Sequence, residues 1–251
     1  MSAATSVMKA LAGALALLAV WFILSYFAIV PRIFLPSPSR AFQALAFGWT
    51  DGDLPEQTSA TLLRMFQGWL LSSLAGVLIG SAVGISSAAR AYLSPTLEFL
   101  RPLPASAIIP VAIAVFGLTP AMVLGAVVFG SIWPTLLATV HGFAGIDPRL
   151  REVAQILRLS NLQFVVKIAL PNALPDILSG MRVSMTVALI VTIVGEMITG
   201  QSGLGSAILI AGRSFQSPDL FAGLILLGAF GVISNVLLKS AESRLLRWQI
   251  N

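Results

Sequence analysis

Few side chains of this sequence belong to the types that catalyse reactions. His141 is the single histidine and cysteine is absent, so thiolate chemistry and disulfide bonds are excluded and a metal site is not expected. Neither the nucleophile elbow G-x-S-x-G nor the zinc-binding pattern H-E-x-x-H occurs, which leaves a hydrolase without a nucleophile and base. The phosphate-binding loop G-x-x-x-x-G-K-[ST] is also missing, so we do not expect the chain to be an enzyme or to hydrolyse ATP itself.

Two carboxylates stand at positions where a charge needs an explanation. Glu196 interrupts an otherwise uncharged stretch, 183–212. A charge at the centre of a bilayer costs about 2.5–3.5 kcal/mol, so Glu196 needs a partner, water or a proton. It could line a transport pathway or support the glycine-rich segment 202–205 that follows, and we favour the second role. Glu152 lies instead in a polar loop between long apolar segments.

The elements that position these residues are predicted to be transmembrane helices. The sequence is 57% hydrophobic and 10% charged, whereas about a quarter of the residues of a soluble domain are charged. A spanning helix needs about 20 apolar residues. This predicts an all-α integral membrane protein of one domain with six transmembrane helices, at about 10–30, 66–87, 103–118, 120–141, 184–200 and 220–239. A turn at 117–120 separates the middle pair, and the first run is long enough to be kept as a span rather than a cleaved signal.

Charge distribution orients these spans. With the N-terminus inside, eleven Lys and Arg residues fall on the cytoplasmic side and four outside, which follows the positive-inside rule. We therefore expect both termini and the loop 143–183 to be cytoplasmic, and we do not interpret the net charge of +5 as nucleic-acid binding. The inner set is Lys9, Arg90, Arg101, Arg149, Arg151, Arg158, Lys167, Arg182, Lys239, Arg244 and Arg247, and the outer set is Arg32, Arg40, Arg64 and Arg213.

Small residues recur every fourth position along the second span. The set is Ser72, Gly76, Gly80, Gly84 and Ala88. Such a stripe lets another helix approach closely, because helices in lipid associate through van der Waals packing rather than hydrophobic burial. We favour a structural seam within the bundle over a subunit interface or a moving contact.

Prolines concentrate in the third and fourth spans, at Pro104, Pro110, Pro120 and Pro134. A proline inside a helix frees a backbone carbonyl that lipid cannot satisfy. These positions are therefore expected to face protein or water, either along a transport pathway or for packing alone.

The polar loop around Glu152 is predicted to fold. Residues 148–159 and 162–169 are predicted as two short helices, with Ser160 and Asn161 between them as cap or turn residues. We expect Asn161 to adopt the left-handed conformation and Arg158 to lie in the last helical turn, where a cation suits the helix dipole.

The loop contains Glu152-Val153-Ala154 and, after a gap of thirteen residues, Ile168-Ala169-Leu170-Pro171. In these residues it resembles the EAA loop of the membrane subunits of ABC importers. The family pattern is E-A-A, three residues, Gly, nine residues and I-x-L-P, and Arg158 stands where the family has Gly. Segment 195–197 followed by 202–205 is similar to the A-E-M and G-L-G stretch of the nitrate, sulfonate and taurine group. Leu35-Pro36-Ser37-Pro38-Ser39, Leu100-Arg101-Pro102-Leu103-Pro104 and Phe116-Gly117 extend the likeness over most of the chain.

The resemblance implies the type I importer fold and a permease subunit of the bacterial inner membrane. It implies a second permease copy, two cytoplasmic ATPase subunits that carry ATP and Mg²⁺, and a periplasmic or tethered solute-binding protein, with no cofactor in this chain. The imported solute would be a small anion. The expected coupling residues are Arg149, Arg151, Glu152, Val153, Ala154, Arg158, Ser160, Ile168, Leu170 and Pro171, and those supporting a pathway or gate are Glu196, Met197, Gly203 and Gly205.

Two other classes of protein compete with this interpretation. A gradient-driven secondary transporter or channel would use Glu196 as its coupling-ion site, but it leaves the ordered loop unexplained. A membrane enzyme or assembly scaffold is the second alternative, and the missing catalytic residues count against the enzyme. The sequence leaves open the transported solute and whether two identical permeases pair.

Overall fold

The computed structural model describes residues 3–100 and 102–247, and Arg101, assigned above to the inner set of charges and to a family segment, lies outside them. The described residues are almost entirely helical. The helices are α1 (Ala3–Tyr26), α2 (Pro38–Thr50), α3 (Leu54–Ile85), α4 (Ser87–Leu100), α5 (Ala105–Phe116), α6 (Pro120–Ala144), α7 (Pro148–Ile156), α8 (Asn161–Phe164), α9 (Leu170–Thr199), α10 (Leu204–Arg213) and α11 (Ser217–Leu245), with a π-helical turn at Val165–Ala169 before α9.

Four of the described helices are long and apolar enough to cross a membrane. They are Leu54–Ile85, Pro120–Ala144, the continuous segment Asn161–Thr199, and Ser217–Leu245. Shorter apolar helices lie at Ala12–Tyr26, Ala107–Phe116 and Leu204–Arg213. The all-helical membrane fold is therefore confirmed. The helices do not end where the predicted spans end, since α1 ends at Tyr26 and α3 begins at Leu54, and the bounds of the spans stay a prediction.

The turn predicted between the middle spans is confirmed. α5 ends at Phe116, and Gly117 follows with a φ of 67°, a conformation that glycine adopts without steric cost. The Thr119 hydroxyl caps α6 by accepting a hydrogen bond from the Met122 N–H at 3.3 Å. Pro120 is the first residue of α6 and Pro104 is the N-cap of α5, so these two prolines start helices, and only Pro110 and Pro134 of the predicted set lie inside them.

The chain divides into two compact units. The first contains residues up to Ala60 together with Ser202–Ala229. In it, the Trp21 indole N–H donates to the Pro36 carbonyl at 2.9 Å, and the Trp21 ring stacks on Phe221 with centroids 5.3 Å apart. Pro36 precedes the N-cap Ser37, so this contact joins α1, the start of α2 and α11.

The second unit contains Thr61–Gln201 and the chain from Phe230 on. α6 and α9 pack along their length and run antiparallel, since Gly195 lies against Val123 at one end and Gly142 against Ala173 at the other. A core cluster from α3, α5, α6 and α9 includes Met65, Ile109, Met122 and Val191. This helix pair supports the candidate site described below.

The small-residue stripe of α3 lies against α6. The Ser131 hydroxyl donates to the Ser72 hydroxyl at 2.9 Å, and Gly76, Gly80 and Gly84 each approach α6 atoms closely. Ala88 belongs to α4, because α3 ends at Ile85. The seam is therefore formed within the chain by the first four members of the stripe.

Substituting Gly80 by alanine is expected to destabilise the fold, because its Cβ would lie 2.7 Å from both the Leu136 carbonyl oxygen and the Thr139 Cβ. Overpacking of this kind costs about 1–3 kcal/mol, so the thermal midpoint in detergent should fall by several degrees. Gly125→Ala is the matched control, because nothing lies within 4 Å of its Cβ position. Equal midpoints for the two variants would contradict the close α3–α6 contact.

Candidate functional site

The polar loop begins with a capped helix. The Asp147 side chain accepts a hydrogen bond from the Arg149 N–H at 2.8 Å, and Pro148 follows at the first helical position. Both features favour helix initiation, since the N-terminal N–H groups lack partners within the helix. The sequence prediction of a short helix here is confirmed, although α7 ends at Ile156 rather than 159.

α7 turns one side inward and presents an apolar side outward. Ala154 is 5% exposed, whereas Ile156 is 80% and Leu157 63% exposed. Val153 is also exposed, and Glu152 stands beside it on the surface. Exposed apolar residues grouped in this way mark a surface that contacts another protein or rests on the lipid headgroups.

Arg158 itself adopts the left-handed conformation, with a φ of 50°, and lies beyond the C-cap of α7. The expectations that Asn161 would adopt this conformation and that Arg158 would lie in the last helical turn are therefore wrong. The Leu159 N–H donates to the Ala154 carbonyl and the Arg158 N–H to the Gln155 carbonyl, both at 3.0 Å. These two bonds form a Schellman motif, which requires positive φ at the residue after the C-cap Leu157. Glycine adopts a positive φ without steric cost, which explains why the family pattern has Gly at the position of Arg158.

The second short helix is not a separate element. Ser160 caps α8 through a capping box with Gln163, which leaves Asn161 as the first helical residue. α8 continues through the π-helical turn into α9, and the Leu170 N–H donates to the Val165 carbonyl, five residues back. Pro171 has no N–H for the next bond of an α-helical ladder, which accounts for the change in register at this point.

The I-x-L-P residues anchor the loop to the long helices. Ile168 and Leu170 are half-buried, while Pro171 is exposed at the first turn of α9. Ala169 between them is fully buried in a cluster with Phe143 of α6. The second half of the loop is therefore packed against α6 and α9, through residues of the π-helical turn and the start of α9.

Glu196 is fully buried in the second unit and has partners on α3. The Thr61 hydroxyl lies 2.9 and 3.0 Å from the two carboxylate oxygens and donates its one hydrogen to this pair, and the Arg64 guanidinium forms an ion pair with the carboxylate. Thr61 and Arg64 lie one turn apart on α3, which places both on the same side. The ion pair joins α3 to α9 and satisfies the buried charge.

The sequence did not identify Thr61 or Arg64 as partners of Glu196. It assigned Arg64 only to the outer set of charges. The available signal was that Arg64 is the one basic residue of α3. Of the other predicted gate residues, Met197 is half-buried on α9, while Gly203 and Gly205 are buried at the start of α10 in the first unit. Their role in supporting a gate stays a prediction.

A cavity lies between α6, α9 and the segment before α5. Its volume is about 720 Å³, and Gly130, Pro134, His141 and Asp176 are among its lining residues. Pro134 leaves the Gly130 carbonyl without its helical donor. The expectation that this kink faces protein or water fits its place on the cavity.

Residues 72–247 match the family described as binding-protein-dependent transport system inner membrane component. The chain belongs to this family. It is a multi-pass membrane protein, in agreement with the four described helices that are long and apolar enough to cross a membrane.

The relatives of this permease are transport proteins. It is 30% identical over 242 residues to the putative aliphatic sulfonates transport permease protein SsuC of Bacillus subtilis strain 168, covering 96% of this chain and 88% of that protein. It is 29% identical over 195 residues to the nitrate import permease protein NrtB of Leptolyngbya laminosa, covering 78% of this chain and 70% of that protein. The resemblance to the sulfonate and nitrate permeases is thereby confirmed.

The fold of the permease is also found among solved structures. The structure described as inward-facing conformations of the MetNI methionine ABC transporter, in its CY5 native crystal form, matches with a TM-score of 0.65 and 21% identity. The match covers 77% of this chain and 94% of that chain. The predicted type I ABC importer fold is confirmed.

Proposed function

We propose that this permease is the membrane subunit of an ATP-driven importer and receives its driving force at α7. The observation that carries this proposal is the exposed apolar surface formed by Val153, Ile156 and Leu157 on a short, capped helix. A rigid helix that follows α6 along the chain and leads through α8 into α9 can transmit the motion of a soluble partner into the membrane.

The partner that fits this surface is a cytoplasmic ATPase. ATP and Mg²⁺ would bind there, since this chain has no phosphate-binding loop. Arg149 and Arg151 flank the docking surface and are candidates for pairing with acidic residues of the ATPase. The positive-inside charge pattern supports cytoplasmic termini and a cytoplasmic α7.

The complete importer would contain two permeases, two ATPase subunits and a periplasmic or tethered solute-binding protein. Two α7 helices brought together by ATP binding would switch the spans between inward-open and outward-open states. The cavity beside Pro134 is the candidate wall of the pathway. Because the relatives are named for aliphatic sulfonates and nitrate, we propose a small oxyanion as the solute.

The gradient-driven transporter is the second candidate function. It would need Glu196 to exchange a coupling ion, and the full burial of Glu196 against Thr61 and Arg64 favours a structural role instead. Dependence of uptake on ATP rather than on an ion gradient distinguishes the two candidates.

Replacing Glu152 by lysine tests the coupling role. Glu152 is exposed, so the permease should fold normally, while uptake per ATP hydrolysed should fall about tenfold or more, within the usual range of coupling energies. ATPase activity and solute uptake are measured together in reconstituted vesicles. Glu98→Lys, a charge reversal at an exposed position of α4, is the control. Unchanged uptake in Glu152→Lys would count against the assignment.

A further inference from the structure

The two arginines of α7 lie on opposite sides of the helix. An α-helix turns by about 100° per residue, so Arg149 lies within about 20° of Ile156 on the docking surface. By the same count Arg151 lies about 140° from Ile156, towards the side of the buried Ala154. The burial agrees, since Arg149 is exposed and Arg151 is half-buried. The two cations therefore have different surroundings.

Arg151 lines a pocket between the loop and the end of α3. The pocket has a volume of about 260 Å³, which at about 30 Å³ for each water molecule is room for a group the size of several waters. The polar lining residues are Arg151, Gln155 and Asn161, and the apolar ones are Ile85, Ala154, Leu159 and Phe164. The pocket thus combines one cation, two amides and an apolar wall.

The Arg151 guanidinium has no anionic partner among the described residues. The ion pairs that these residues form are those of Arg64 with Glu196 and of Arg182 with Glu242. The Arg151 side chain makes no hydrogen bond to the described part of the chain, and its nitrogens are not enclosed by protein, so an occupant of the pocket can reach them. A guanidinium is always charged and has five N–H donors. This one has capacity for an anion.

The pocket lies where two membrane-crossing segments end. Ile85 is the last residue of α3, and Asn161 is the first residue of the continuous segment Asn161–Thr199. In the orientation proposed above, both ends are on the cytoplasmic side. The guanidinium then lies at the depth of the inner lipid headgroups. Basic pockets at the cytoplasmic ends of membrane helices bind phosphate-bearing headgroups.

We propose that this pocket binds a phosphate group, held by the Arg151 guanidinium and the amides of Gln155 and Asn161. The planar fork of an arginine matches two phosphate oxygens, and the apolar wall contacts the chain that carries the phosphate. A phospholipid of the inner leaflet and free phosphate are the two sources of such a group. This goes beyond the function proposed above: one side of α7 is held at the membrane surface, and Arg149 alone stays a candidate for pairing with the ATPase.

Native mass spectrometry of the full chain with its accompanying subunits measures this binding, with dioctanoyl phosphatidylglycerol added in detergent. Arg151→Gln should weaken the binding about tenfold or more, because charge-assisted hydrogen bonds are lost. Arg151→Lys keeps the charge without the fork and should have an intermediate affinity. Arg149→Gln is the matched control, since it removes the same charge from the opposite side of the same helix, and it should bind as the unmodified chain does.

Two further ligands identify what the pocket recognises. Dioctanoylglycerol has the same tails without the phosphate and should bind weakly and equally to all variants. Inorganic phosphate separates the two sources: if it binds in an Arg151-dependent way and phosphatidylglycerol does not, the occupant is free phosphate.

Three results would overturn the proposal. They are the absence of saturable binding of both phosphate ligands, equal losses in Arg149→Gln and Arg151→Gln, and binding of dioctanoylglycerol as tight as that of phosphatidylglycerol. If Arg151→Gln instead loses affinity for the ATPase and keeps phosphatidylglycerol, Arg151 contacts the ATPase and the proposal also fails. The docking surface around Ile156 lies on the other side of α7 and is tested separately.

Discussion

Replacing Glu196 by alanine is expected to unfold the permease at a much lower temperature and to abolish uptake. The carboxylate neutralises Arg64, whose side chain is 16% exposed, and accepts the hydrogen bond of the fully buried Thr61 hydroxyl. Breaking a buried ion pair by removing one partner costs about 3–5 kcal/mol, because the other charge is left uncompensated. The thermal midpoint in detergent and the uptake rate measure the effect.

Two further variants show whether the pair itself is responsible. Glu196→Gln keeps the size and the acceptor for Thr61 but removes the charge, so it should be less harmful than alanine. Exchanging the two residues, as Arg64→Glu with Glu196→Arg, should recover part of the stability lost in each single variant. Normal assembly and uptake in Glu196→Gln would contradict both the structural role and a pathway role for this residue.

Replacing Ile156 by aspartate is expected to weaken the binding of the ATPase strongly. Its side chain is 80% exposed, so an aspartate there should leave the isolated permease folded. If α7 docks in a groove of the ATPase, the change removes an apolar anchor worth about 1.5–3 kcal/mol and buries a charge instead. The affinity for the ATPase should then fall by at least about tenfold.

Affinity between detergent-purified permease and ATPase subunits measures this effect. Ile156→Leu is the matched control and should bind as the unmodified chain does. An unchanged thermal midpoint for Ile156→Asp would show that the loss is not a folding defect. Tight binding of the ATPase by Ile156→Asp would show that α7 is not part of the interface.

Local signals in the sequence predicted much of the fold. The turn at 117–120 combines a glycine, a capping threonine and a proline that act over a few residues, and the structure confirms it. The first helix of the loop is likewise set by Asp147 and Pro148. Apolar runs located the spans but not the ends of the helices, because α3 and α9 continue well beyond their apolar stretches.

The failed predictions have physical causes. At Arg158 the hydrogen-bonding geometry of the Schellman motif imposes a positive φ, which outweighs the preference of the side chain. The partners of Glu196 lie on α3, more than 130 residues away in sequence, so no local pattern could reveal them. The ion pair between Arg182 of α9 and Glu242 of α11 also joins residues that are far apart in sequence. The charge pattern assigned Arg182 to the cytoplasmic side but could not reveal this partner.

The absence of cysteine allows a direct test of whether a cytoplasmic ATPase docks on α7. A Glu152→Cys variant carries a single thiol, which is crosslinked in native membranes before extraction in mild detergent. If the ATPase docks on α7, a crosslinked nucleotide-binding subunit should co-purify with the permease at equal stoichiometry. A permease that purifies alone and uncrosslinked, with uptake that follows an ion gradient, would contradict it.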